Sequence, residues 1–183
     1  GLTIILLGPA TVLAQALSLD PAFGAHIAEV IAMGGAFNVR GNVTEAAEFN
    51  IWFDPEALEV VLRAGMRMTM VPLDATGAVR YAKLAPEAGE GASLGFLRAF
   101  LASRSGDRRR LAMWDEVVAA MLIDPDLVRS SYQADASVVL DRSADYGRTR
   151  ADRNGAGSVR VITAVDAKRV EAVLRRTLAG GRG

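Results

Sequence analysis

Apolar and polar positions along the chain form blocks that predict strands and helices in turn. Leu2 to Leu7 is an uncharged apolar run ended by Gly8-Pro9, which predicts a strand buried on both faces. Val12 to Leu17 predicts a helix that ends before Asp20-Pro21, and Ile27 to Met33 predicts the next strand. Strand, helix and strand in this order favour a right-handed parallel crossover.

The next helix carries start and stop signals of its own. Asp54 is placed as its N-cap, Pro55 occupies the first helical position, and Gly65 closes it. Met68 to Leu73 then predicts a third buried strand. Strand and helix alternation of this kind is typical of a parallel sheet flanked by helices.

Further along, the periodicity predicts two amphipathic helices, Leu94 to Leu101 and Glu116 to Leu122, separated by a polar loop from Ser103 to Arg110. Asp115 is placed to cap the second helix. Near the end, three short strands are predicted, Ser137 to Leu140, Gly147 to Asp152 and Ser158 to Val165.

Asn154-Gly155 predicts a hairpin turn between the last two of these strands, and Asp166 caps a final helix from Ala167 to about Leu178. The predicted fold is therefore α/β, an open, mostly parallel, Rossmann-like sheet flanked by helices, with a late antiparallel hairpin. Residues 1–183 are predicted to form a single domain.

Composition excludes several functional classes. The 21 basic and 21 acidic side chains cancel, so no net field recruits nucleic acid or an anionic membrane. Cysteine is absent, which removes disulfides, thiolate metal sites and a cysteine nucleophile, and is compatible with the cytoplasm. The uncharged residues 1–19 lack a basic segment and are interrupted by Gly8-Pro9, which argues against a leader peptide or a bilayer span.

Two familiar catalytic motifs fit poorly. Gly89-Glu90-Gly91 with Gly95 has the wrong spacing for a dinucleotide loop and no preceding strand, so a plain loop is the better interpretation. Ser-His-Asp catalysis would require His26, the one histidine, and the sequence has no nucleophile elbow. His26 is better explained as a surface or core residue.

The most informative stretch lies between the second and third predicted strands. Long polar loops at strand ends of α/β sheets are where ligands usually bind. Asn42, Glu48 and Asn50 offer acceptors and amide hydrogens that suit a polyhydroxylated ligand such as a sugar. The alternative is that these residues only cap helices and close turns.

These landmarks together resemble the nucleoside hydrolase family, of the inosine-uridine-preferring type, over nearly the whole chain. In order, they are Leu7-Gly8-Pro9-Ala10-Thr11, Met33-Gly34-Gly35-Ala36, Gly41-Asn42-Val43-Thr44, Ala47-Glu48-Phe49-Asn50, Asp54-Pro55-Glu56-Ala57, Trp114-Asp115 with Asp124-Pro125, and Gly147-Arg148-Thr149.

The resemblance implies a role for each candidate residue. A calcium ion would be held by the main-chain carbonyl of Thr11 and the carboxylate of Asp115. Ribose hydroxyls would be bound by Asn42, Glu48 and Asn50, with Asn50 also serving catalysis, while Met33 lines the sugar pocket. Trp114 would stack on the leaving base, since it stands where many members carry a histidine that acts as a general acid, and this favours purines over pyrimidines. The alternative is a core tryptophan beneath the helix.

One part of the family pattern is missing. The family carries an Asp-x-Asp-x-x-x-Asp-Asp cluster after its first strand, whereas the one Asp-x-Asp here is Asp124-Pro125-Asp126. Two ligands are far short of the roughly six to eight oxygens that calcium takes. We therefore expect the reading frame to extend upstream and encode the cluster, and the isolated chain to bind calcium and catalyse poorly. We also expect an unpaired sheet edge, open to a complementing chain.

The resemblance implies hydrolysis of the N-glycosidic bond of ribonucleosides, with a purine preference, to give ribose and a free base. It further implies a cytoplasmic homo-oligomer, a dimer or tetramer, that acts in purine salvage. Two alternatives stay open. The chain could be a catalytically inactive sugar-binding or assembly subunit, or a plain structural domain that responds to neither ribose nor nucleoside.

Overall fold

The computed structural model describes residues 1–80, 95–96, 99 and 112–178. In chain order the elements are β1 (Leu2–Leu6), α1 (Thr11–Leu19), a 3-10 helix (Pro21–His26), β2 (Ile27–Met33), α2 (Phe49–Phe53), α3 (Pro55–Arg63), β3 (Met68–Val71), α4 (Leu73–Thr76), α5 (Asp115–Ile123), a 3-10 helix (Pro125–Leu127), β4 (Val128–Val138), β5 (Thr149–Asp152), β6 (Val159–Val165) and α6 (Ala167–Leu178).

The chain divides into two compact units. The first comprises Gly1–Ala75 with Ser130–Ala164, and the second comprises Thr76–Arg129 with Val165–Gly183. Most of the sheet and the loop that carries Asn42, Glu48 and Asn50 belong to the first unit, whereas α5 and α6 belong to the second. A single domain over the whole chain stays a prediction.

The six described strands form a mixed sheet in the order β1-β2-β3-β6-β4-β5. The pairs β1 with β2, β2 with β3, and β3 with β6 are parallel, and β4 with β5 is antiparallel. The predicted α/β sheet, mostly parallel with a late antiparallel pair, is confirmed.

The predicted hairpin between the last two strands is wrong. Asn154-Gly155 does not join paired strands, because β4 lies between β5 and β6 in the sheet. The Asp135 carboxylate on β4 accepts hydrogen bonds from the backbone N–H groups of Ala156 at 3.0 Å and Gly157 at 2.9 Å. The connection between β5 and β6 is therefore hydrogen-bonded to β4, the strand that separates them in the sheet. The Asn154-Gly155 dipeptide alone does not predict this.

Strand β1 is also less buried than predicted. Its pairing with β2 is parallel, as expected, but it stands at one edge of the order of described strands. Leu2 is 53% exposed and Ile5 is 42% exposed. The apolar run predicts a strand buried on both faces, whereas among the described residues only one face packs, through Ile4 and Leu6.

Helices α1 and α3 cover one face of the first three strands. Asp54 caps α3 by accepting from the N–H of Ala57 at 3.0 Å, and Gly65 follows the helix with φ of +67°, as predicted. Strand β3 is shorter than predicted, because Leu73 already begins α4. The core between these helices and strands includes Leu13, Leu17, Val30, Leu58, Val61, Met68 and Met70.

In the second unit, α6 begins after Asp166, whose carboxylate accepts from the N–H of Arg169 at 3.1 Å, as predicted. The predicted cap of α5 is wrong by one residue, since Trp114 holds the N-cap position and Asp115 is the first helical residue. Of the predicted helix over 94–101, only Gly95, Phe96 and Ala99 are described, and they are helical. The loop over 103–110 lies outside the described residues.

Among the helices described, none has the length and apolar character needed to cross a membrane. The longest of them, α6, has 12 residues, compared with the roughly 20 that a bilayer requires.

Candidate functional site

The candidate ribose residues lie after the carboxyl end of β2, in the loop that follows it and in the first turn of α2. Met33 ends β2, and residues 34–48 run without regular secondary structure to the start of α2. Within the loop, Gly41 donates to the carbonyl of Glu45 at 3.2 Å and Val43 donates to that of Ala47 at 3.2 Å. A Cβ at Gly41 would lie 2.2 Å from the Ala47 carbonyl oxygen, so only glycine permits this closure.

Glu48 organises the end of this loop. Its side chain is 2% exposed. The Oε2 atom accepts from three backbone N–H groups, those of Gly35 at 3.2 Å, Asn50 at 2.9 Å and Ile51 at 3.3 Å. Glu48 is thus the N-cap of α2, and it also binds the backbone just after β2. Burial raises the pKa of Glu48, and the backbone N–H groups partly offset that rise because they favour the ionised form.

Asn50 and Asn42 complete the network. Asn50 is 8% exposed, and its Nδ2 donates to the Met33 carbonyl oxygen at 3.0 Å and contacts the Met33 Sδ at 3.4 Å. Asn42 Oδ1 accepts from the N–H of Phe49 at 2.8 Å. The structure therefore brings Met33 at the end of β2, Asn42 and Glu48 in the loop, and Asn50 in α2 into one hydrogen-bonded network.

These bonds bear on the alternative in which the polar residues only cap helices and close turns. Asn42 and Glu48 do cap backbone N–H groups, as that alternative expects. The cap bonds do not use the full capacity of the side chains, because a carboxylate has two oxygens and a carboxamide has two N–H groups and one oxygen. The geometry holds the groups in fixed positions, which is what a polar binding site requires.

Three further residues make long-range hydrogen bonds near the site, and the sequence analysis predicts none of these bonds. Asp74 accepts from the N–H groups of Phe37 and Asn38, each at 2.9 Å. Thr149 bonds both backbone groups of Ala36. Asp54, recognised as a cap, also accepts from the Thr11 hydroxyl at 2.5 Å. Each contact spans more than 30 positions of sequence, so local patterns do not reveal it.

Thr11 and Asp115, the two candidate metal ligands, lie in different units. Thr11 begins α1, and its hydroxyl binds Asp54. Asp115 begins α5, and burial raises the pKa of its carboxyl. Among the described residues, no group of three or more acidic or histidine side chains is placed to hold a metal ion.

Trp114 stands immediately before α5 and is 41% exposed. The alternative of a core tryptophan beneath the helix is therefore wrong. His26 is an exposed residue at the end of the first 3-10 helix, in agreement with a surface role. The Gly89-Glu90-Gly91 loop lies outside the described residues.

Comparisons with known proteins agree on one family. A family model described as inosine-uridine preferring nucleoside hydrolase matches residues 1–172. Over 74 residues, 40% of this chain and 24% of the relative, the chain is 49% identical to a pyrimidine-specific ribonucleoside hydrolase, RihA, of Salmonella newport.

Two solved structures share the fold. A plant nucleoside hydrolase superposes with a TM-score of 0.83 at 28% identity, covering 97% of this chain and 61% of that one. A purine-preferring ribonucleoside hydrolase from Gardnerella vaginalis gives a TM-score of 0.82 at 25% identity, covering 97% of this chain and 60% of that one. This chain thus spans about three fifths of the length of these structures.

Proposed function

Since this chain belongs to the inosine-uridine preferring nucleoside hydrolase family, we propose that it serves the hydrolysis of the N-glycosidic bond of ribonucleosides to ribose and free base. The observation that supports this proposal is the loop after β2. There Glu48 and Asn50, both buried, are held beside Met33 by hydrogen bonds to the backbone.

In this proposal, Asn42, Glu48 and Asn50 bind the ribose hydroxyls with the hydrogen-bonding capacity that the loop bonds leave available. Fixing the sugar places its anomeric carbon in one orientation, which lowers the entropic part of the barrier. In the reaction, a water oxygen bonds to the anomeric carbon while the C–N bond breaks and its electron pair leaves with the base. The two protons of water end on the sugar hydroxyl and on the base.

Calcium is the metal that the resemblance implies, and the described residues do not fit it by themselves. Thr11 and Asp115 offer two oxygens between them, whereas calcium takes roughly six to eight. We propose that calcium binds only where further carboxylates complete the site. Calcium should therefore not shift the thermal midpoint of this chain relative to magnesium or EDTA. A calcium-specific rise would show that this chain alone makes a site.

The activity test combines binding and turnover. We expect ribose to bind this chain in calorimetry and the Glu48→Ala variant to lose that binding, with Glu45→Ala as the control. Glu45 is an exposed neighbour in the same loop and pairs with Arg40. Release of hypoxanthine from inosine, followed by chromatography, tests hydrolysis itself.

A second candidate is a catalytically inactive sugar-binding or assembly subunit. In this candidate the protein binds a sugar but lacks the aspartate cluster that would hold a metal ion. Ribose binding without base release, in the presence of calcium, by the longer protein that includes the upstream reading frame would support this candidate. Neither binding nor release would leave a structural domain and overturn both proposals.

We further propose that Trp114 stacks on the leaving base and that purines are preferred. The support is its exposure of 41% at the start of α5. Indole has no proton to donate near neutral pH, so leaving-group protonation needs another group. The relatives include both a pyrimidine-specific and a purine-preferring hydrolase, and base preference is therefore a matter for measurement.

A further inference from the structure

Thr149, the first residue of β5, bonds both backbone groups of a residue 113 positions earlier. Its Oγ1 accepts from the N–H of Ala36 at 3.0 Å and donates to the carbonyl oxygen of Ala36 at 3.0 Å. Thr149 is 4% exposed and Ala36 is 3% exposed. A buried peptide group without such a partner would keep its full desolvation cost, so this hydroxyl satisfies two groups at once.

The same segment is held from its other side by Glu48. The N–H of Gly35 donates to Glu48 Oε2 at 3.2 Å, and the carbonyl of Gly35 accepts from Leu73 at 2.9 Å. Gly35 has φ of +93°, and a Cβ there would lie 3.2 Å from Thr149 Oγ1. The hydroxyl is thus fitted against the backbone of Gly35-Ala36, which leaves little room for the segment to shift.

The sheet in turn fixes the position of Thr149. Residue Val138 of β4 pairs with Thr149, and Asp135 pairs with Asp152 at the far end of the antiparallel register. Gly147, with φ of +79°, brings the chain close to Trp52 of α2 just before β5 begins. The position of the hydroxyl is therefore set by the sheet, whereas the Gly35-Ala36 segment that it binds belongs to the loop after β2.

From this geometry we infer that Thr149 is a positioning residue for the sugar site, because it holds Gly35-Ala36 where the Gly35 N–H reaches the Glu48 carboxylate. The inference rests on the proposed function for its role in sugar binding. The link from Thr149 to Glu48 can be tested without any ligand.

The test compares Thr149→Val, which keeps the shape and removes the hydroxyl, with Thr149→Ser, which keeps the hydroxyl. Thr163→Val is the matched control, because its hydroxyl makes a 2.6 Å contact with Ser130 in the same unit. The first measurement is the titration of the Glu48 carboxyl by carbon NMR. Without the Gly35 N–H, the ionised form of Glu48 loses a partner, so T149V should raise the pKa of Glu48, while T149S and T163V leave it unchanged.

The second measurement is ribose affinity by calorimetry. We expect T149V to lose about tenfold in affinity and T149S to restore it. An unchanged Glu48 titration in folded T149V would overturn the inference, and so would a shift of the same size in T163V. If T149V does not fold, Thr149→Ala, which also removes the hydroxyl, takes its place. A raised pKa of Glu48 in folded T149A supports the inference, and an unchanged one overturns it.

Failure of the two proposals can be told apart. If the unaltered chain does not bind ribose, the proposed function fails, while the Glu48 titration still tests the link from Thr149. If ribose binds equally to the unaltered chain and to T149V, and the Glu48 titration is also unmoved, Thr149 has no positioning role although the sugar site stands.

Discussion

The two groups of candidate residues differ in how the chain holds them. In the loop after β2, the Glu48 carboxylate accepts from three backbone N–H groups and the Asn50 amide donates to Met33. At the start of α5, Trp114 makes no side-chain cap bond and is 41% exposed. Hydrogen bonds of buried polar side chains thus hold the loop, whereas the Trp114 side chain makes no cap hydrogen bond to α5.

The surroundings of two carboxyls, Glu48 in the loop and Asp115 in α5, differ as well. Burial raises the pKa of both Glu48 and Asp115, but only for Glu48 do several backbone N–H groups act in the opposite direction. A substitution in the loop should therefore disturb folding and binding together. A substitution at Trp114 should affect binding with little effect on folding.

The largest effect is expected for Glu48→Ala. It leaves the buried N–H groups of Gly35, Asn50 and Ile51 without their acceptor and removes the cap of α2. We expect a loss of about 3 kcal/mol in the free energy of unfolding, measured by urea denaturation, together with loss of ribose binding. Glu45→Ala is the control in the same loop, and its change should be small because its ion pair is exposed. Equal losses in the two variants would contradict the role given to Glu48.

Asn50→Ala should have the next largest effect. It removes the donor to the Met33 carbonyl oxygen, at a cost of about 1–2 kcal/mol in stability. If Asn50 and its neighbours bind ribose hydroxyls, the unaltered protein should bind inosine at least tenfold more tightly than 2′-deoxyinosine. Calorimetry with both nucleosides measures this ratio. Equal affinities would show that these residues do not contact the 2′-hydroxyl.

Trp114→Ala should separate binding from stability. Stacking of an aromatic side chain on a base is worth roughly 1–3 kcal/mol, so affinity for a purine nucleoside should fall by about tenfold or more. The thermal midpoint should change little, because the indole is 41% exposed. Trp114→Phe should retain part of the affinity. Tighter binding of uridine than of inosine by the unaltered protein would refute the purine preference.

The sequence predicted correctly those helices and strands whose ends are set by neighbouring residues. Asp54 with Pro55 marked the start of α3, and the Ile27–Met33 strand has its predicted bounds. The start of α2 was not predicted, because its cap is Glu48 and N-caps are usually Ser, Thr, Asp or Asn. The predicted pairing of β5 with β6 was wrong. Asp135 of β4, which is distant in sequence, binds the connection between these two strands.

For the candidate site too, the sequence predicted candidate residues but not the long-range contacts that hold them. The polar residues between β2 and α3 made Asn42, Glu48 and Asn50 candidates for binding a sugar, and that role stays a prediction. The contacts that fix the loop come from Asp74 and Thr149, which are 36 and 113 positions from their partners. A threonine at the start of a strand carries no local sign that it will bond a distant backbone, so spacing cannot assign it that role.

The smallest expected effect is a dependence of stability on pH that comes from Glu48. Its folded pKa is raised by burial, so the folded chain holds this proton above the pH at which the unfolded chain releases it. The contribution to stability is therefore fully present below the unfolded pKa and is lost as the pH rises through the folded pKa. We expect the free energy of unfolding to fall over this interval in the unaltered chain, and Glu48→Gln to remove that part of the slope. Asp124 and Asp166 have lowered pKa values, first through hydrogen bonds from Arg169 and Arg129, so they act in the opposite sense at lower pH. Urea denaturation from acid to neutral pH, compared between the unaltered chain and E48Q, isolates the Glu48 contribution because the aspartates are common to both. If the free energy of unfolding depends on pH in the same way in both proteins, the ionisation of Glu48 is not coupled to folding. The loop after β2 would then not differ from the start of α5 in this respect.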